Sequence, residues 1–223
     1  YRLFRVLRDI SPATPLDAVQ DKINEELALL NRYQSLTAEQ VYNNYLRDWN
    51  EWPSSDGAPF EDVDGNGSYN PAIDLPGVPG ADQTLWHVSN DLDAGLTAGL
   101  YGSEPIGLEI QRTMWAYRST GGLGSTIFVR YRIINLSGHP IDSMFVSQWS
   151  DPDVGNAGDD FVGCDTALSM GYAYNSSDFD QIYGATPPAV GYDFLQGPIV
   201  SAGPGDKAVF GGTYRFGYKN LPM

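Results

Sequence analysis

The sequence is short of basic residues over two long stretches. From Asp48 to Gln111 there is no Lys or Arg among twelve acidic residues, and from Ile133 to Asp206 there is none among ten, all of them Asp. The whole chain has 13 basic and 28 acidic residues, which gives a formal net charge of -15. This charge repels nucleic-acid phosphates and anionic membranes, so we expect no nucleic-acid partner.

Cysteine, histidine and long apolar runs are also scarce. Cys164 is the single cysteine, which excludes an internal disulfide and a thiolate zinc cluster, and we expect it to be a small buried side chain. The chain has two histidines, His87 and His139, and such a small number does not favour a histidine-based triad or zinc site. No apolar run of about 18 residues is present to span a membrane, and the N-terminal residues do not form a signal peptide. We expect a piece of a mature, secreted protein.

The composition that is present favours a mainly β fold. Aromatic residues make up 13% of the chain, beside 25 Gly and 15 Pro, and this mixture is typical of short strands joined by tight turns. We therefore predict an antiparallel β-sandwich or jelly roll. Runs of β-branched and aromatic residues predict a meander over 106–117, 126–135 and 141–149, and further strands near 167–174, 197–202 and 208–214.

The N-terminal residues have a different pattern. Residues 1–10 alternate as in a strand or an amphipathic turn. An apolar stripe after Thr14-Pro15 predicts a helix to about Arg32, and Thr37 with Gln40 matches a capping box that starts a second helix. We therefore divide the chain into an N-terminal segment with a strand and a helical hairpin, residues 1–50, and a β-sandwich domain with long loops, residues 51–223.

The sharpest motif in the chain is an Asp-rich loop that begins at Asp62. It has oxygen donors at positions 1, 3 and 5 of a calcium loop and Gly67 at position 6, as in EF-hand and dockerin loops. It departs from them at position 12, which is Ile73, with an acid one residue later, and no flanking helix pair is evident. The alternative is an acidic turn without an ion. The predicted calcium ligands are Asp62, Asp64, Asn66, Ser68, Asn70 and Asp74.

Further Asp-rich segments predict more than one calcium ion. Crowded carboxylates without basic partners repel one another, and divalent cations with hard oxygen ligands offset this repulsion. A long loop after Trp149 supplies the candidate ligands Asp151, Asp153, Asn156, Asp159, Asp160 and Asp165. A shorter segment supplies Asn90, Asp91 and Asp93, for which a solvated turn is an equal alternative, as it is for Asp178 and Asp180.

Catalytic groups are less evident in the sequence. Glu104 and Glu109 are the one pair that could serve a glycosidase, but a strand from Ile106 explains Glu109 equally well. Trp86 and Trp149 lie near the acidic loops, where exposed rings could stack on sugars, although core packing is the commoner role of tryptophan. We predict that the chain is not an enzyme.

Four segments, 57–67, 90–93, 149–155 and 158–165, also carry a resemblance. They are similar to segments of large secreted proteins of Bacteroidota-type bacteria that commonly end in a type IX secretion sorting domain. The resemblance covers roughly residues 50–223. It implies secretion and calcium binding rather than a particular activity.

These observations lead to two functional hypotheses. The first is a secreted, calcium-stabilised structural protein of the cell surface that assembles with copies of itself into a fibre, tube or layer. The second is a calcium-dependent carbohydrate-binding or adhesion module with a glycan partner, with a glycoside hydrolase-associated domain as a weaker variant.

Overall fold

The computed structural model describes residues 2–31 and 34–221, and the chain divides into two compact units, Tyr1–Met144 and Phe145–Met223. The boundary predicted at residue 50 does not coincide with this division. The reason is that the N-terminal strand and helices join the first sheet. For example, Phe4–Leu7 pairs antiparallel with residues 83–86, and the Trp49 indole N–H donates to the Pro71 carbonyl at 3.0 Å.

The first unit combines a helical pair with an antiparallel sheet. In chain order its elements are β1 (Phe4–Leu7), a 3-10 turn (Leu16–Val19), α1 (Gln20–Leu30), α2 (Ala38–Asn50), a 3-10 turn (Ser54–Asp56), β2 (Phe60–Glu61), β3 (Leu75–Pro76), β4 (Gln83–Asn90), α3 (Ala94–Tyr101), β5 (Leu108–Ala116), a 3-10 turn (Gly122–Ser125) and β6 (Ile127–Asn135). Four strands form a sheet in the order β1-β4-β5-β6, and β2 pairs with β3. All of these pairings are antiparallel.

Both predicted helices are confirmed. Thr37 caps α2 through the predicted capping box, in which its hydroxyl accepts from the Gln40 N–H and the Gln40 side chain accepts from the Thr37 N–H. The first helix begins as a 3-10 turn after Pro15, and its predicted end at Arg32 lies outside the described residues. The apolar stripes of the two helices meet in one core cluster formed by Ile10, Val19, Ile23, Val41 and Tyr45.

The predicted meander is correct in two strands and wrong in the third. β5 and β6 pair along their whole length, but residues 141–149 form no strand. β4, which the sequence analysis missed, pairs with the other edge of β5, and its Trp86 is 1% exposed in a second core cluster. Strand propensity reflects packing against neighbours, and the apolar residues of 141–149 have no neighbouring strand to pair with in the described part of the chain.

The second unit consists of short strands. Its elements are a 3-10 turn (Ala157–Asp159), β7 (Asp160–Asp165), β8 (Met170–Asn175), β9 (Ala189–Asp193), β10 (Ile199–Ser201), β11 (Lys207–Phe210), β12 (Thr213–Phe216) and β13 (Tyr218–Asn220). They form an antiparallel sheet, β7-β8-β9, and two antiparallel pairs, β10-β13 and β11-β12. The expected burial of Cys164 is wrong: this thiol is exposed, because its cross-strand neighbour on β8 is Gly171, which has no side chain to cover it.

The fold is therefore mainly β and antiparallel with a pair of N-terminal helices, as predicted. The packing of two sheets into a sandwich stays a prediction. In the two described ranges, no helix combines the length and the apolar composition needed to cross a membrane.

Candidate metal centre

The Asp-rich loop connects two short paired strands. Glu61 of β2 lies opposite Leu75 of β3, so residues 62–74 form the closed end of a β-hairpin. A backbone bond from the Gly77 N–H to the Pro59 carbonyl, at 2.9 Å, extends this pairing. The loop therefore has the donor order of a calcium loop but is held by a strand pair instead of a helix pair.

Three predicted ligands converge in this loop. The side chains of Asp62, Asp64 and Asp74 each have a carboxylate oxygen within 4.8 Å of the other two. Among the described residues, this is the one group of three or more acidic, histidine or cysteine side chains with that geometry. Asp62 and Asp64 are exposed, whereas Asp74 is 1% exposed. The three carboxylates can together hold a metal ion at the surface of the hairpin.

Asp74 holds both sides of the loop. One carboxylate oxygen accepts from the Val63 N–H at 2.9 Å, and the other accepts from the Asn70 N–H at 2.7 Å. A buried carboxylate needs such donors because it has lost its hydration. The one-residue shift of this acid relative to a calcium loop therefore does not remove it from the site.

Asp62 organises the tip of the loop. Its carboxylate accepts backbone hydrogen bonds from Gly67 at 2.7 Å, Gly65 at 2.8 Å and Asn66 at 3.1 Å. The Gly67 N–H contributes most to lowering the pKa of Asp62, and the other two N–H groups add to it. Gly65 and Gly67 have φ angles of +71° and +77°, a left-handed conformation that glycine adopts without steric cost. Asp62 is therefore kept as an anion, the form that binds a cation.

The amide ligands predicted in this loop make local hydrogen bonds. The Asn66 amide donates to Asp64 at 2.7 Å and accepts from the Ser68 N–H at 2.7 Å, and the Asn70 side chain accepts from the Ala72 N–H at 3.0 Å. Asn66, Ser68 and Asn70 therefore shape the turns that bring the three carboxylates together. Calcium binding by these three side chains stays a prediction.

Two aromatic residues fix the loop to α2. The Tyr69 hydroxyl donates to the Trp49 carbonyl at 2.7 Å, and the Trp49 indole N–H donates to the Pro71 carbonyl at 3.0 Å. Tyr69 also packs edge-on against Phe60, with ring centroids 5.5 Å apart. Burial raises the pKa of Tyr69, and the charge of Asp74 raises it further, so this hydroxyl stays a donor at neutral pH.

Nearby basic residues do not neutralise the three carboxylates. Arg8 pairs with Glu61 at 3.1 Å, Arg2 pairs with Asp48 and Glu51, and Arg5 pairs with Glu26. Within residues 2–31 and 34–221, no ion pair reaches Asp62, Asp64 or Asp74. The group therefore concentrates negative charge in a rigid loop.

The side chains of the shorter predicted segment accept backbone hydrogen bonds. Asp91 accepts backbone N–H bonds from Ile106 at 2.6 Å and Leu108 at 2.6 Å, and so closes the connection around α3. Desolvation tends to raise the pKa of Asp91, but these bonds outweigh it and the pKa is lowered. Asp93 caps α3 by accepting from the Leu96 N–H, and Asn90 accepts from the Leu92 N–H. These bonds are those of the turn alternative stated above, and calcium binding by this segment stays a prediction.

The long loop of the second unit is organised by Asp180, for which the sequence left a turn and a calcium ligand as equal alternatives. Asp180 is 1% exposed and accepts backbone bonds from Asn156 at 2.9 Å and from Ile182 and Tyr183, each at 2.7 Å. The Asn156 bond is the main cause of its lowered pKa. In the sequence, Asp180 is part of a short Asp-Phe-Asp segment that is typical of a turn, and it lies 24 residues from Asn156. A connection over that distance cannot be deduced from a turn motif.

The predicted ligands of this loop are less closely gathered. Asp151 and Asp153 are exposed, the Asn156 side chain accepts from the Gly158 N–H at 3.3 Å, and Asp165 accepts from the Ala167 N–H at 2.9 Å. The three-acid geometry found at Asp62 does not recur here among the described residues. Asp159 and Asp160 lie side by side where the loop enters β7.

The acidic pair considered for a glycosidase lies at the start of β5. Glu109 accepts from the Gln111 side chain at 2.9 Å, and Glu104 is exposed before β5. Burial lowers the pKa of His87, and the nearby Arg112 lowers it further. Comparison of the chain with protein-family models, with curated proteins and with solved structures gives no match.

Proposed function

We propose that the chain is a calcium-stabilised structural module. The observation that supports this most is the convergence of three carboxylates, one of them buried, in a loop without basic partners. The donor set consists of oxygen atoms alone, which hard divalent cations such as calcium and magnesium prefer, and the calcium-loop order of the donors favours calcium. Two oxygens bound to one calcium ion at 2.3 to 2.6 Å lie at most about 5 Å apart, and the 4.8 Å limit for the three carboxylates is within this span.

The ion would act as a cross-link. Asp62 and Asp64 lie near the start of the hairpin loop and Asp74 lies at its end, so one ion bound to all three closes the loop. It also offsets the repulsion among the carboxylates. At a free calcium concentration about 100 times the Kd, binding stabilises the folded state by about 2.7 kcal/mol. No group that would perform a reaction is part of this arrangement, so we assign calcium a structural role.

We further propose that the protein is secreted to the cell surface and associates with copies of itself. The support is β6, which has one strand neighbour in the described sheet and is therefore an edge strand. Its side chains Ile127, Val129 and Ile133 are 72%, 43% and 36% exposed. An edge strand with an exposed apolar face can pair with another chain. Binding of calcium at an exposed loop also suits the calcium-rich extracellular space.

Calcium titration with a matched control tests the metal site. Asp64→Asn removes one exposed ligand charge, and Asp142→Asn removes an exposed charge elsewhere in the same unit. Isothermal calorimetry should show weaker calcium binding for Asp64→Asn and unchanged binding for Asp142→Asn. An equal loss of calcium affinity in both variants would show that calcium binding depends only on the overall charge of the protein. Light scattering of the intact chain in calcium should show a mass above that of a monomer, and a monomer would contradict self-association.

A polar groove supports glycan binding as a second candidate function. The groove has a volume of about 590 Å³ and is lined by Asp56, Glu109, Gln111 and Arg132 together with Ser54, Ser55, Gly57 and Val88. Carboxylate, amide and guanidinium groups are suitable partners for sugar hydroxyls. A glycan array probed with and without calcium tests this function. Loss of a bound glycan on Arg132→Ala would support it, and an array without any signal would eliminate it.

A further inference from the structure

Three enclosed side-chain oxygens at one corner of the second unit have no hydrogen-bond partner among the described residues. They are one carboxylate oxygen of Asp159, one of Asp160 and the amide oxygen of Asn175. Asn175 is 7% exposed. Buried acceptors are normally paired because burial removes their hydration, so three unpaired acceptors in one place require an explanation.

The backbone brings the three residues together. Asp160 and Asn175 are directly opposite in the β7-β8 pair, which places their side chains on the same face of the sheet. Asp159 precedes Asp160, and its carbonyl accepts from the Ser176 N–H at 2.9 Å, next to Asn175. The unpaired oxygens therefore belong to a single corner where the 3-10 turn enters the sheet.

Neighbouring hydrogen bonds fix the orientation of two of these groups. The Asn175 amide nitrogen donates to the carbonyls of Ser177 at 2.9 Å and Phe179 at 3.1 Å, so a flipped amide would place its oxygen against two other acceptors. The second carboxylate oxygen of Asp160 accepts from the Val154 N–H at 2.8 Å. The unpaired oxygens of Asp160 and Asn175 thus remain without a donor while the other polar atom of each side chain is hydrogen-bonded.

Basic residues are few in the second unit. Residues 145–223 contain three basic residues, all after residue 206. Lys207 lies over the Tyr214 ring at 4.6 Å, and Arg215 lies over the Phe210 ring at 5.6 Å. None of the ion pairs in the described part of the chain involves Asp159 or Asp160.

We propose that Asp159, Asp160 and Asn175 form a second divalent-cation site, distinct from the hairpin loop. Two carboxylates and one amide offer oxygen ligands alone, which suit a hard divalent cation, and we assign calcium because magnesium usually keeps several waters and is rarely held by protein ligands alone. An ion bound there would satisfy the three acceptors and join the 3-10 turn to β8. This site does not depend on the function proposed above, because it shares no residue with the hairpin site formed by Asp62, Asp64 and Asp74.

Calcium binding by single-site variants of the intact chain tests this proposal. Asp159→Asn is the informative change, since the unpaired oxygen of Asp159 offers a ligand without holding any donor of the protein. Asp178→Asn is the matched control: it removes an exposed charge from the same unit. Asp62→Asn removes the hairpin site independently. Calorimetry with calcium alone should show that Asp159→Asn loses one of about two bound ions per chain, that Asp62→Asn loses the other, and that Asp178→Asn loses none.

Thermal melting gives a second readout that does not depend on counting ions. In excess chelator, Asp159→Asn should melt at or above the temperature of the unsubstituted chain, because it removes a charge beside Asp160. In calcium, the same variant should melt below it. The difference in melting temperature between the variant and the unsubstituted chain should therefore change sign between chelator and calcium if a ligand is lost. A variant with a damaged fold would melt at a lower temperature in both conditions. Unchanged stoichiometry and no reversal would overturn the proposal and assign these oxygens to bound water.

Discussion

Asp74→Asn should destabilise the hairpin loop even when no metal is present. Asp74 is buried and each of its oxygens accepts one backbone N–H, from Val63 and from Asn70. An asparagine side chain replaces one of these acceptors with an amide NH2 group, a donor, which leaves one buried N–H unpaired. An unpaired buried donor costs about 1–3 kcal/mol. In a chain of this size, that corresponds to a fall in Tm of about 2–12 °C.

The matched variant is Asp64→Asn, which removes the same charge from an exposed member of the group. Its oxygens accept hydrogen bonds from Asn66 alone, at 3.2 and 2.7 Å, so we expect little loss of stability without metal. Both variants should lose the stabilisation that calcium adds. The two effects are therefore separable: Asp74 acts in the fold and at the metal, whereas Asp64 acts mainly at the metal.

Urea unfolding of the two variants, each with excess chelator and with saturating calcium, measures both effects. The two units are monitored separately by hydrogen exchange, because a chain with two units need not unfold in one step. If Asp74→Asn is as stable as the unsubstituted chain in chelator, the stabilising role assigned to the two hydrogen bonds of Asp74 is wrong. Equal destabilisation of Asp64→Asn and Asp74→Asn in chelator would contradict the division of roles.

Three further outcomes follow from particular contacts. Asp91 has a lowered pKa in the folded state. Its carboxylate therefore contributes fully to the stability of the folded state above about pH 4, and this contribution is lost as the pH falls through the folded pKa. Asp91→Asn should reduce the acid destabilisation measured by pH-dependent melting. Gly155→Ala should disrupt the long loop, because a Cβ there would lie 2.3 Å from the Asp180 carboxylate, and proteolysis of this loop should accelerate. Tyr69→Phe should cost about 0.5–1.5 kcal/mol in urea unfolding, since it removes the hydrogen bond to Trp49.

The local patterns of the sequence predicted the elements that depend on near neighbours. The capping box at Thr37 and the β-branched runs of β5 and β6 are signals within a few residues, and the structure confirms them. The carboxylates of the hairpin loop were also predictable, because their spacing follows the geometry of one turn. Asp74 joins them although it is one residue late, since the loop closes through a strand pair that tolerates the extra residue.

Other features depend on contacts between distant residues. β4 was missed because its pairing with β5 and β1 decides its structure, while residues 141–149 have strand composition without a partner. The roles of Asp91 and Asp180 depend on backbone donors 15 and 24 residues away. Asn175 lies 15 residues after Asp160 in the sequence, and only the β7-β8 register places it opposite that residue. Such contacts cannot be deduced from spacing along the chain.

The central claim is that calcium stabilises this fold, and the melting temperature of the intact chain measures it most directly. We expect calcium at about 100 times its Kd to add about 2.7 kcal/mol to the stability of the folded state. For a chain of this size, the melting temperature should then be about 5–11 °C higher in calcium than in excess chelator. An identical melting temperature in the two conditions would contradict the claim.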